Sequence, residues 1–201
     1  MIRAEELLEY ENRLRAEGCT LICGVDEVGR GPLAGPVTCA AVIMDLNDLV
    51  QGVNDSKKLS ALRREKLAPL IREKAIAYSV VSYDNLKVDE MNILEATKAC
   101  MRDAVMSLGA VPDAVLVDAL RIDVPYRVVP VVHGDALSYS IAAASILAKT
   151  ERDAFMREMG ERYPGYGFER NAGYGTAEHI AALRTLGATP IHRRTFIRKF
   201  V

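Results

Sequence analysis

The chain reads as an α/β protein, a mixed β-sheet with helices packed on its faces. Three observations predict this. Short runs rich in β-branched or aromatic residues, "LICGVDE", "VTCAAVIM" and "AIAYSVVSY", come early, as in a meander. Later strand-like runs alternate with segments whose apolar residues recur at helical spacing. Half of the 201 residues are apolar and 26% are charged, ordinary for a globular chain with one full core.

Residues 4–17 are amphipathic and stopped by Gly18, so 1–18 form an N-terminal helix of a single domain spanning 1–201. Strands follow at 21–27 and 37–44. A helix over 60–73 opens at Ser60, a suitable N-cap, and leads to a strand at 75–83. Met91, Leu94, Met101, Val105 and Leu108 give a helix over 86–109, with Gly109 as its stop. Strands at 114–119 and 126–132 come next; Pro130 puts the second at a sheet edge. A long helix over 136–160 has a core, "IAAASILA", small enough for close packing on a sheet. A Gly- and Tyr-rich loop over 163–175 precedes a last helix at 176–186.

No apolar run approaches the roughly 20 residues that span a bilayer. The charged N-terminus is unlike a secretory signal, so the cytoplasm is expected and no membrane. Cys19, Cys23, Cys39 and Cys100 form no CxxC pair and His133, His179 and His192 are scattered, so no zinc site is expected. Two basic stretches, "DSKKLSALRREKL" and "HRRTFIRKF", each read alone as solvated helix faces. Flanking an acidic centre, they would suit a polyanion held by its phosphates.

That centre is acidic in four places. Asp26 and Glu27 stand where a buried strand meets a glycine turn, Asp118 ends "VLVD", and Asp135 opens the long helix after "HG". Adjacent strand residues face opposite ways, so Asp26 and Glu27 converge only if the backbone bends between or just after them, as Gly29 and Gly31 permit. Asp135 reads equally as an N-cap, Asp118 as a turn residue, and Glu27 as a partner of Arg30. Asp26 is hardest to explain structurally, because an unpaired carboxylate against a buried segment is costly. Oxygen-only ligands point to a hard cation, Mg²⁺ or Mn²⁺, which would in turn bind phosphate.

"GRGPLA" satisfies the dinucleotide pattern G-x-G-x-x-G/A, but Pro32, Pro36 and the strand that follows leave no place for its helix. Its backbone N–H groups could still hold a phosphate or a sugar hydroxyl. Arg30 reads as a phosphate contact or a surface bridge. Tyr174, in "NAGYGT", reads as a sugar-stacking ring, a hydroxyl donor or a cover for the core.

Taken together the motifs resemble the ribonuclease HII family, the type 2 ribonucleases H of bacteria. "GVDEVGRGPLAGPV", "NDSKKLS", "DEMNILEAT", "VLVDAL", "GDALSYSIAAASILAKTERD", "GYGTAEH" and "HRRTF" occur in that family's order over nearly the whole chain after the first helix. The resemblance implies a ribonuclease H-like fold: a five-stranded mixed sheet flanked by helices, with a helical C-terminal part from about 160 to 201 that completes the substrate site. It implies a monomer that cuts the RNA of RNA–DNA hybrids and single ribonucleotides embedded in duplex DNA, leaving 3′-hydroxyl and 5′-phosphate ends. Asp26, Glu27, Asp118 and Asp135 correspond to the family's metal ligands. Gly29, Arg30 and Gly31 correspond to the turn that reads the 2′-hydroxyl, and Tyr174 to the ring that stacks on the following deoxyribose. Asn54, Ser56 and Lys57 match contacts to DNA-strand phosphates.

Two departures stand out. Ala172 replaces the usual lysine before "GYGT", so one phosphate contact is expected to be missing or supplied elsewhere, and the chain stops at Val201, so less C-terminal surface for the duplex is expected. The mechanism expected is two-metal-ion hydrolysis with Asp26 shared between the ions. A DNA-specific nuclease with the same acids, or a non-catalytic nucleic-acid module, are the rival readings.

Overall fold

A computed structural model describes residues 4–201. After a 3₁₀ turn (Ala4–Leu7), the elements run α1 (Glu9–Ala16), β1 (Ile22–Val28), β2 (Val37–Met44), α2 (Ala61–Lys74), β3 (Ala75–Tyr83), α3 (Asn85–Met91) and α4 (Ile93–Met106). Then come β4 (Ala114–Asp118), β5 (Arg127–Val131), α5 (Gly134–Leu137), α6 (Tyr139–Arg162), α7 (Phe168–Asn171), α8 (Ala177–Leu186) and α9 (Arg194–Ile197). The strands form one five-stranded sheet in the order β3-β2-β1-β4-β5. β1, β2 and β3 pair antiparallel, whereas β4 lies parallel to both β1 and β5. The mixed sheet read from the sequence is the sheet observed, and Pro130 does lie on an edge strand.

Period-2 alternation splits the core into two layers. Ala40, Val42 and Met44 face α2 and α6, packing on Leu67, Ile71, Ile146, Leu147 and the small residues Ala142, Ala143, Ala144 and Ala148. Cys23, Val25, Cys39, Ala41, Val115 and Val117 face α4, against Cys100, Met101, Ala104 and Val105. The α6 backbone passes directly over β1. A Cβ at Gly24 would lie only 2.1 Å from the Ser140 carbonyl carbon and 2.4 Å from Ile141 N.

Two helices are broken where apolar spacing alone reads them as continuous. Asn92, in the left-handed region (φ +65°), separates α3 from α4. Its side chain caps α4 by accepting from Leu94 N (3.0 Å) and Glu95 N (3.2 Å). Ser138 likewise separates α5 from α6, its hydroxyl accepting from Ile141 N at 3.2 Å. That hydroxyl donates in turn to the buried Glu11 of α1 (2.6 Å), whose carboxylate also accepts from Ser140 N (2.9 Å). A carboxylate at a helix N-terminus is favourably placed, and here it anchors α1 to α6. Among the described residues no helix is long and apolar enough to cross a membrane.

Candidate active site

The parallel register of β1 and β4 places Val25 opposite Val117. One residue further along stand Asp26, in the C-terminal half of β1, and Asp118, the last residue of β4. Registered residues of parallel strands project from the same face, so these two carboxylates are neighbours. Crevices at the carboxyl ends of strands are where open α/β sheets bind ligands. Asp135 joins them through the chain after β5. Left-handed His133 (φ +57°) turns the backbone, and Gly134 N donates to Asp118 Oδ1 at 2.7 Å.

Glu27 sits differently. β1 stays in register through Val28 and turns only at Gly29 (φ +93°). Of the two bends the sequence allowed, the one after the pair exists and the one between them does not. Glu27 thus projects on the Cys39 side, its Oε1 accepting from Arg30 Nη1 at 3.3 Å. Asp26 projects on the α6 side and takes its own neighbour's amide, Glu27 N, at 2.8 Å. Among the described residues no three Asp, Glu, His or Cys side chains form a ready-made metal cage. Lys57 Nζ lies on Asp135 Oδ2 at 2.8 Å, while the Gly134 amide holds Asp118.

The electrostatics favour a cation nonetheless. Burial raises the Asp26 carboxyl well above the usual carboxylate range; the Glu27 and Asp118 charges add to this, and a hydrogen bond from Ser145 opposes it. Burial also raises Glu27, against the pull of Arg30, and raises Asp118, against the Gly134 amide. Glu27 Oε2 is buried without a hydrogen-bond partner among the described residues. Such oxygens suit a hard divalent ion, and the residues present fit one.

Ser56 and Lys57 form the adjoining wall. The Ser56 hydroxyl faces inward and pairs with Ser145 Oγ at 2.7 Å, so it lies behind Asp26 rather than outward. The Lys57 side chain is 78% exposed even while its ammonium touches Asp135. Asn54 Oδ1 accepts from Asp55 N at 2.8 Å, shaping the turn that presents Lys57.

The glycine turn is held from beneath by two fully buried arginines. Arg193 donates to the carbonyls of Gly29 (2.6 Å), Arg30 (3.0 Å) and Gly35 (3.0 Å). Arg152 donates to those of Pro36 (2.9 Å), Ala172 (2.9 Å) and Ala34 (3.2 Å). Burial pushes Arg152 down to about 10 and Arg193 to about 9. The C=O and N–H of a trans peptide point opposite ways. With the Gly29 and Arg30 carbonyls turned inward, the amides of Arg30 and Gly31 turn outward.

Tyr174 closes the other side of this turn. A Cβ on Gly31 would lie 3.6 Å from Tyr174 Cε1, so the ring stands beside Gly31 and is 44% exposed. The two loops are laced together by Leu33 N donating to Gly173 O at 2.8 Å.

Arg152 and Arg193 escaped the sequence reading. "HRRTFIRKF" read as a solvated basic face, yet His192 and Arg193 are fully buried. His179 and His192, read as scattered, meet at 3.0 Å between their Nε2 atoms.

The family model described as ribonuclease HII matches residues 23–199. The chain belongs to the ribonuclease HII family. A ribonuclease HII of Shouchella clausii is 50% identical over 192 residues, covering 96% of this chain and 74% of that one. One of Ruminiclostridium cellulolyticum is 48% identical over 202 residues, covering 100% and 79%. Among solved structures, the ribonuclease H2 of Pyrococcus horikoshii superposes with a TM-score of 0.75 at 29% identity, covering 90% of this chain and 97% of that one. The ribonuclease HII of Archaeoglobus fulgidus, solved in complex with PCNA, also gives 0.75, at 27% identity, covering 90% and 96%. Membership of the ribonuclease HII family makes this chain a metal-dependent ribonuclease H, an endonuclease acting on the RNA of RNA–DNA hybrids.

Proposed function

We propose that this ribonuclease also incises 5′ of single ribonucleotides embedded in duplex DNA, with Asp26, Glu27, Asp118 and Asp135 as the ligands of Mg²⁺ or Mn²⁺. The observation that carries this reading is the position of the Asp26–Asp118 pair beside the outward amides of Arg30 and Gly31. Metal ligands and sugar-reading groups share one turn, so a ribose would be registered next to the bond to be cut.

Bound divalent ions would supply a nucleophilic water at neutral pH and offset charge on the departing 3′ oxygen, leaving 3′-hydroxyl and 5′-phosphate ends. Asp26, buried between β1 and α6, would be the shared ligand, its orientation set by Glu27 N and Ser145. The exposed Lys57 ammonium would hold Asp135 and face a substrate phosphate. The Arg30 and Gly31 amides would meet the 2′-hydroxyl, and Tyr174 would stack on the next sugar. A DNA substrate would leave those amides unpaired, an effect able to reach roughly 10⁴-fold. The implied cellular setting is ribonucleotide removal during replication and repair in the cytoplasm.

The test is incision of matched duplexes, one with a single ribonucleotide and one all DNA. Cutting 5′ of the ribonucleotide alone supports the reading. Equal cutting of both would make the chain a general duplex nuclease, and no cutting of either would confine it to hybrids.

A further inference from the structure

We infer that His179 and His192 are positioning residues for Tyr174, joined in a hydrogen-bond chain with one direction. The inference rests on the reading of Tyr174 as the ring that faces the ribonucleotide junction. Thr189 N–H donates to His192 Nδ1 at 2.9 Å, and the Thr189 hydroxyl lies 2.8 Å from the same nitrogen. A ring nitrogen that accepts carries no proton, so the proton of neutral His192 is on Nε2. That atom lies 3.0 Å from His179 Nε2, which must then accept. The His179 proton is therefore on Nδ1, which donates to the Tyr174 carbonyl at 2.9 Å. Each link dictates the next tautomer.

Both imidazoles are fully buried, among the rings of Tyr166 and Phe168. The groups acting on them are few. The Tyr174 and Gly173 backbone and Glu178 act on His179, and His179, the Thr189 backbone and Arg194 act on His192, while the Tyr166 hydroxyl is spent on Gly187 O. Burial lowers both rings, His192 to about 4, so both are neutral near pH 7. The chain ends where it matters for substrate. The adjacent dipeptide His192–Arg193 acts on both halves of the sugar-reading surface: Arg193 turns the Gly29 and Arg30 carbonyls inward, and His192, through His179, fixes the backbone of Tyr174.

The experiment measures kcat and KM on a single-ribonucleotide duplex and on an RNA–DNA hybrid for each variant. His179→Leu removes the donor to Tyr174 and is expected to lower kcat on the single ribonucleotide about tenfold more than on the hybrid. His179→Asn, whose amide N–H replaces Nδ1–H, should restore most of that selectivity. In a Tyr174→Ala background His179→Leu should cost no further selectivity. His192→Gln keeps a donor toward His179 where His192→Asn does not, so the Gln variant should retain more selectivity than the Asn variant; this comparison decides the matter if His179→Leu fails to fold. Equal losses on both substrates, or an undiminished effect of His179→Leu without Tyr174, would reduce the pair to a structural contact. Tyr174→Ala without selective loss would instead overturn the reading of Tyr174.

Discussion

Asp26 and Asp118 stand at the same level on two neighbouring parallel strands, each following a valine of one registered pair, Val25 and Val117. Like charges placed directly across two strands repel. Burial of Asp26 and Asp118 raises both pKa values, and the Asp118 charge raises Asp26 further. A divalent ion would remove that conflict, whereas a purely structural role leaves it without purpose.

Asp26→Asn should abolish turnover, by at least about 10³-fold, while hybrid binding stays measurable. Thermal stability without metal should hold or rise, since a repelled, desolvated charge is gone. Single-turnover cleavage alongside fluorescence anisotropy checks both halves. Turnover within a few-fold of wild type would remove Asp26 from the chemistry.

Arg193→Met leaves three inward carbonyls of the 29–35 segment without their donor. Loss of a buried hydrogen-bonded guanidinium should cost about 3–5 kcal/mol in urea unfolding. Arg193→Lys should recover little, because one ammonium cannot reproduce the fork. A loss below about 1 kcal/mol for either variant would show the turn to be self-supporting.

Gly24→Ala drives a methyl group into the α6 backbone, with Ser140 C at 2.1 Å and Ser140 O at 2.3 Å. Backbone on both sides cannot yield cheaply, so a loss of several kcal/mol or failure to fold is expected. A melting temperature near wild type would contradict the close passage of α6 over β1.

Stability should also carry a histidine signature in acid. An unfolded histidine takes up a proton near pH 6.5, whereas buried His192 resists until about 4. Unfolding therefore binds a proton in that window, and this contribution to stability is lost as pH falls from 6.5 towards 4. The buried acids shift the opposite way, so the informative quantity is wild type minus His192→Gln. That difference should shrink with falling pH, by at most about 3 kcal/mol. Parallel pH profiles would contradict it.

Strands and acids were legible because their signals are local: β-branched runs, an aspartate at a strand end, glycines at the turn. The break at Asn92 was not, since apolar spacing continues across it and only the "NILE" capping pattern marks it. Nor was the burial of Arg152 and Arg193, whose acceptors at Pro36 and Gly29 lie more than a hundred residues away. A cation satisfied by distant carbonyls looks, in sequence, like a solvated one. The meeting of His179 and His192 depends in the same way on how the C-terminal segment packs.

Whether Asp26 and Asp118 hold a divalent ion is decided by calorimetric titration of Mn²⁺ into the wild-type protein, Asp26→Asn and Asp118→Asn. Wild type should bind saturably, and binding should weaken at least about tenfold in each variant. Identical binding by all three proteins would show that these two aspartates do not hold the ion.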